Sequence, residues 1–169
     1  MGSKRWIKDE RGVNLIELMV VVAVAAIVTA IAVPTYVSYL PFLKVRSAAR
    51  DLISDLRYTR QQAVSENTNH RLIFSSIAEY SIQRVSDSKV IKSVDLADNY
   101  SKVTLTSATS CTTTSTTNCV YFKPNGGLDT LVKHPGASDA TPLALTLTHS
   151  DTGEARTIKI NGVGRVWTE

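Results

Sequence analysis

The sequence predicts an α+β fold, a long N-terminal helix packed on a C-terminal antiparallel β head, and three observations carry that reading. Residues 18–43 contain no Asp, Glu, Lys or Arg; apolar side chains then recur at helical spacing to residue 64; from residue 71 the chain breaks into short β-branched runs separated by Ser, Asp, Asn, Gly and Pro. At 169 residues there is room for one core of ordinary size. With 43% hydrophobic and 20% charged residues, wholesale disorder is excluded.

The 26 uncharged residues would span about 39 Å as a helix, more than the hydrocarbon core of about 30 Å. Three readings compete: a removable secretory signal, a plain membrane anchor, and an anchor that later becomes the core of an assembly. Ala30-Ile31-Ala32 supports the first as an A-x-A pattern, but helical patterning continues past Ala32 and Glu17 stands within the apolar run. Basic residues on both flanks, Lys4, Arg5, Lys8 and Arg11 before and Lys44, Arg46 and Arg50 after, leave the orientation undecided. A carboxylate in such a run costs about 2.5–3.5 kcal/mol at mid-membrane, so Glu17 is either solvated at the interface or partnered.

After Pro41, Val45, Ala49, Leu52, Ile53, Leu56, Ala63 and Val64 describe an amphipathic helix over about 44–66, with Arg46, Arg50, Arg57, Arg60, Asp51, Asp55 and Glu66 on its wet side. Eight strands follow, at 71–74, 79–85, 89–96, 102–106, 120–123, 143–149, 155–160 and 163–167. They are expected to form one antiparallel sheet or a pair. Asn161-Gly162 reads as a two-residue hairpin turn, which would set Ile160 against Val163, Ile158 against Arg165 and Arg156 against Trp167, with Lys159 on the other face.

No catalytic set emerges. His70, His134 and His149 lack metal-ligand spacing and read as surface or strand histidines; the cysteines lack C-x2-C spacing; no serine sits in a G-x-S-x-G elbow. Asn125-Gly126-Gly127 reads as a turn, since no Lys-Ser/Thr follows to complete a phosphate loop. An enzyme is not expected, nor any cofactor or metal.

Gly12-Val13-Asn14-Leu15-Ile16-Glu17-Leu18-Met19-Val20 resembles the signature of type IV prepilins and pseudopilins, a basic leader ending in Gly before an apolar helix with an early Glu. Pro34 falls where that family commonly has a helix-bending proline. The resemblance implies a leader at 1–12 removed after Gly12 by a prepilin peptidase, N-methylation of Val13, a transmembrane and filament-core helix at 13–40, an amphipathic head helix at 41–66 and a β-rich head at 67–169. Val13 departs from the usual Phe. The resemblance also implies an inner-membrane location with a periplasmic head, an inner-membrane assembly platform and other pilin subunits as partners, and Glu17 and Pro34 as assembly residues. A freed amine at Val13 would be cationic at neutral pH, and a carboxylate about 4 Å away would attract it by roughly 4 kcal/mol at an effective dielectric of 20.

Leu52–Val64 (LISDLRYTRQQAV) and the ending Asn161-Gly162-Val163-Gly164-Arg165-Val166 resemble the GspH/FimT group of minor pilins and pseudopilins. Members resembling FimT are associated with DNA uptake through Gly-Arg-x-Arg. Here the stretch is Gly164-Arg165-Val166-Trp167, so the second arginine is missing, and Arg156, Arg165 and Trp167 are the candidate DNA contacts. The formal charge of +4 falls to +2 without residues 1–12, a weak basis for phosphate binding. The pilin-like start, which places the head in an oxidising compartment, implies a Cys111–Cys119 disulfide. Its loop would contribute about 2.6 kcal/mol.

Overall fold

The computed structural model describes residues 14–107, 119–129 and 142–169. The chain divides into two compact units, one up to Tyr39 and one over Leu40–Glu169. Helix α1 (Leu15–Ser65) runs continuously through Pro34 and Pro41 and supplies the whole described part of the first unit. Its start is set by Asn14, whose Oδ1 accepts from Ile16 N at 3.3 Å while its carbonyl accepts from Leu18 N at 3.1 Å.

Within Leu40–Glu169, the buried stripe of α1 is Val45, Ala49, Leu52, Leu56 and Ala63, the period of a helix laid on a sheet. The strands are β1 (His70–Phe74), β2 (Glu79–Arg84), β3 (Val90–Asp95), β4 (Val103–Ser107), β5 (Cys119–Phe122), β6 (Leu143–His149), β7 (Ala155–Ile160) and β8 (Val166–Thr168), with a one-turn helix α2 (Leu96–Asn99) between β3 and β4. They form two antiparallel four-stranded sheets, ordered β3-β2-β1-β5 and β4-β6-β7-β8. The alternation Leu143, Leu145, Leu147 is buried on one face of β6 as expected, with its intervening residues half-buried. Leu72, Ile82, Val120 and Phe122 from one sheet and Leu145, Leu147, Ile158 and Ile160 from the other join the α1 stripe in a single core. The β1–β2 turn accepts two backbone bonds at one corner, from Leu96 N to Ala78 O and from Leu105 N to Ile77 O, and the second ties β4 of one sheet to the β1–β2 turn of the other.

Three expectations need correction. Residue 96 does not extend β3: Asp95 accepts from Ala97 N and Asp98 N and turns the chain into α2, an N-cap winning over strand propensity. Asp55 is not on the wet side of α1. It is only 6% exposed and accepts from Tyr80 Oη at 2.8 Å and from Lys92 Nζ at 2.6 and 2.8 Å, which pins the helix to β2 and β3. The last strand begins at Val166, not 163, because the turn before it is longer than two residues. Of the histidines, His70 and His149 are buried strand residues and His134 lies outside the described residues.

Burial, and then the bond to Asp55, push the Tyr80 hydroxyl well above its ordinary range. Burial and the Asp51 carboxylate that it donates to push Tyr100 up to about 12. A tyrosine with a raised folded pKa stabilises fully below the unfolded value near 10, and that stability is lost as pH rises through the folded value. Two outcomes follow for the Leu40–Glu169 unit. Asp55→Ala lowers its denaturant-unfolding free energy by about 2–4 kcal/mol, because a buried hydroxyl and a cation lose their acceptor. In an ultraviolet pH titration, Tyr100 ionises near pH 12 and Tyr80 only on unfolding; Asp51→Asn moves the Tyr100 midpoint back down.

Candidate functional site

Two parts of the chain bear on function: the N-terminal stretch of α1 and the C-terminal loop. Along the first, the apolar side chains are uncovered: Leu15 is 73%, Ile27 65% and Ile31 69% exposed. The helix is long and apolar enough to cross a membrane. Its threonine and serine hydroxyls bond within the helix, as hydrocarbon favours: Thr29 Oγ1 donates to Ala25 O at 2.7 Å, Thr35 Oγ1 to Ile31 O at 3.1 Å and Ser38 Oγ to Thr35 O at 2.8 Å. Pro34 has no N–H to give the carbonyl of Ala30, and α1 accommodates that single lost bond.

Glu17 lies exposed in the first turn, three residues after the Asn14 cap, where a carboxylate also faces the positive end of the helix dipole. The Asn14 cap itself was missed in the sequence; the Asn-x-x-Glu spacing was the signal for it. Gly12 and Val13 lie outside the described residues, and so does any contact of Glu17 with Val13. Cys119 opens β5 opposite Ile73 and is 5% exposed. Cys111, its expected partner, lies outside the described residues.

The expected hairpin register does not form. Strands β7 and β8 pair Ile160 with Val166, Lys159 with Trp167 and Ile158 with Thr168, so five residues, Asn161–Arg165, make the connection. Neither Asn161 nor Gly162 has the positive φ that a two-residue turn of that type demands; Gly164 does, at +78°. Buried Asn161 closes the loop, accepting from Arg165 N through Oδ1 at 2.8 Å and from Gly164 N through its carbonyl at 2.9 Å. Arg156 therefore does not face Trp167. Its guanidinium lies 5.3 Å from the centre of the Phe42 ring, while Trp167 sits across from Lys159, which is ion-paired to Glu169. Arg165 is exposed.

The loop is fastened to the 123–128 turn and to α1. Leu128 N donates to Gly162 O at 2.9 Å, Arg60 Nε to Gly126 O at 2.8 Å and Arg57 to Val166 O at 3.4 Å. A Cβ on Gly164 would fall 2.1 Å from Gly126 O. The Gly-Arg motif thus has a packing role: its glycine lets two loops touch. The sequence placed Arg57 and Arg60 among the solvated charges of α1, and only the tertiary contact shows that both cap carbonyls of these loops. A cleft of about 590 Å³ lies beside Asp51, Asp55 and Lys92, but its principal carboxylates are engaged by Tyr100, Tyr80, Lys92 and the α2 cap. Among the described residues, no group of His, Cys, Asp or Glu is arranged to hold a metal ion.

The sequence model described as Type II transport protein GspH matches residues 48–164, which covers most of the amphipathic part of α1, strands β1 to β7 and the C-terminal loop as far as Gly164. The chain belongs to the GspH family. No curated protein matches it in sequence. Among solved structures, the fold is similar to that of the type IV minor pilin FimU of Pseudomonas aeruginosa, at 18% identity over 78% of this chain and 92% of that one, with a TM-score of 0.55. It is also similar to the minor pseudopilin EpsH from the Type 2 Secretion System of Vibrio cholerae, at 10% identity over 75% of this chain and 96% of that one, with a TM-score of 0.52. This GspH-family chain thus shares the fold of those proteins, a long N-terminal helix whose later part packs on antiparallel sheets.

The two-loop contact yields a paired prediction. Gly164→Ala strains a left-handed backbone and also drives a methyl into Gly126 O, so the Leu40–Glu169 unit loses more than about 3 kcal/mol in urea unfolding. Gly153→Ala has the same sign of φ, at +72°, with nothing within 4 Å of the new Cβ, and loses only about 1 kcal/mol.

Proposed function

We propose that this GspH-family protein is a minor subunit of a type IV pilus or type II secretion pseudopilus, stored in the bacterial inner membrane and assembled into a filament through α1. The observation that carries this reading is the exposed apolar stretch from Leu15 to Val37, joined through one helix to a head of the minor-pilin fold. A prepilin peptidase cleaves after Gly12 and the new amine of Val13 is methylated. Glu17 receives the amine of an incoming subunit and sets its axial register; lipid covers the helix before assembly and neighbouring helices cover it afterwards. The head faces the periplasm, where Cys111 and Cys119 form a disulfide, and the inner-membrane platform drives extraction. Proteins described as minor pilin and minor pseudopilin match the fold alike, so the reading spans both machines.

Binding of DNA through Arg156, Arg165 and Trp167 draws no support from the geometry. The register that would have aligned Arg156 with Trp167 is replaced by one that commits Arg156 to Phe42.

In the native host, the chain recovered from membranes begins at Val13 and is heavier by one methyl group, as read by intact-mass spectrometry. Glu17→Ala is processed and inserted like the wild type, but its incorporation into sheared filaments falls more than about tenfold, as expected for losing an ion pair worth a few kcal/mol. Wild-type incorporation of that variant contradicts the assembly role, and an intact precursor contradicts the whole reading.

A further inference from the structure

Within Leu40–Glu169, the exposed face of α1 opens with Leu43, 36% exposed, and continues on the following turns with Arg46 and Arg50, both exposed. The other described arginines of the helix and sheets are engaged: Arg57 with Val166 O, Arg60 with Gly126 O, Arg71 with Gln83 and Tyr121, Arg84 with Glu66 and Asp87, and Arg156 with the Phe42 ring. Arg46 and Arg50 have no such partner among the described residues. Lys44, just before them, donates to Ser101 Oγ at 2.7 Å.

Their place along the chain says what they face. The uncharged run ends at Leu43, and Tyr36 and Tyr39 within it are of the residue type that settles at headgroup level. If the hydrocarbon ends near Leu40, a rise of about 1.5 Å per residue sets the Arg46 backbone about 9 Å beyond it and that of Arg50 about 15 Å. The headgroup layer occupies roughly the first 5–7 Å. Side chains on a helix lean toward its N-terminus, here toward the apolar end, so the Arg46 guanidinium reaches back over that gap and that of Arg50, one turn further out, comes within about one Debye length, roughly 8 Å, of the headgroups. An apolar residue followed by two unpaired arginines on one face matches the order of a lipid surface, hydrocarbon and then phosphate.

We infer that Arg46 and Arg50 bind the phosphate groups of anionic lipids on the head side of the membrane. This rests on the membrane storage proposed above. It makes the stored state one in which the head is held at the bilayer surface, and extraction a step that breaks charge contacts as well as apolar ones.

The test uses the full-length chain reconstituted into vesicles of phosphatidylcholine alone or mixed with phosphatidylglycerol. Arginines are modified with p-hydroxyphenylglyoxal and read by peptide mass spectrometry. Modification of Arg46 and Arg50 is expected to slow about fivefold in the anionic vesicles, the scale of one basic side chain at an anionic surface. The protection disappears near 1 M salt, where the Debye length is about 3 Å. Free inorganic phosphate in the phosphatidylcholine sample does not reproduce it. The Arg46→Gln/Arg50→Gln variant, altered only at exposed positions, floats with both vesicle types and loses the salt-sensitive preference for the anionic ones. Failure of the wild type to float with either vesicle overturns the membrane reading itself. Flotation with equal modification in both overturns only the lipid contact, as does protection by free phosphate alone; the first of these results points the arginines to an acidic surface on another subunit.

Discussion

A single helix here must satisfy two environments, and the rest of the molecule follows from that constraint. Over its first part α1 presents exposed apolar side chains. Over its last part the same helix buries one stripe in a core of two sheets. In the first part Thr29, Thr35 and Ser38 bond back to the helix backbone and the start is capped by Asn14, which lowers the cost of placing these polar groups in an apolar surrounding. In the second part the charges are free to remain, and several are used.

Specific polar contacts fix how the head sits on its helix, while the apolar core supplies most of the drive to fold. The bonds of Asp55 to Tyr80 and Lys92 choose one register of α1 against β2 and β3. Arg57 and Arg60, one helical turn apart, choose the position of the C-terminal loop, and the bare Cα of Gly164 permits the contact with Gly126. A residue pattern that invites a reading as a ligand motif is thereby accounted for by packing. The positive charges on Arg46 and Arg50, just past the apolar stretch and Lys44, are left without such a structural task among the described residues.

Much of this was legible in the residues because period and composition are local. The 2-residue alternation of β6, the helical recurrence from Val45 to Ala63 and the uncharged run each declare an element without reference to the rest of the chain. What escaped were contacts distant in sequence. Asp55 looks like any solvated helix charge until Tyr80 and Lys92 are brought to it, and Arg60 until Gly126 is. The Asn161-Gly162 signal was overridden because the buried Asn161 side chain brackets a longer loop, with the left-handed conformation moved to Gly164. The α2 cap was legible in principle, since Asp95 precedes Leu96-Ala97-Asp98, but the β-branched run before it dominated.

The central claim of the proposed function is that the apolar face of α1 is covered by lipid in the stored subunit and by another subunit's helix in the filament. A photo-crosslinking side chain placed at Ile31, which is 69% exposed, reports this directly in the native host. The account predicts lipid adducts while the assembly machine is idle and adducts to a neighbouring subunit once it runs. Adducts within the same chain, to the sheets of its own head, would contradict it.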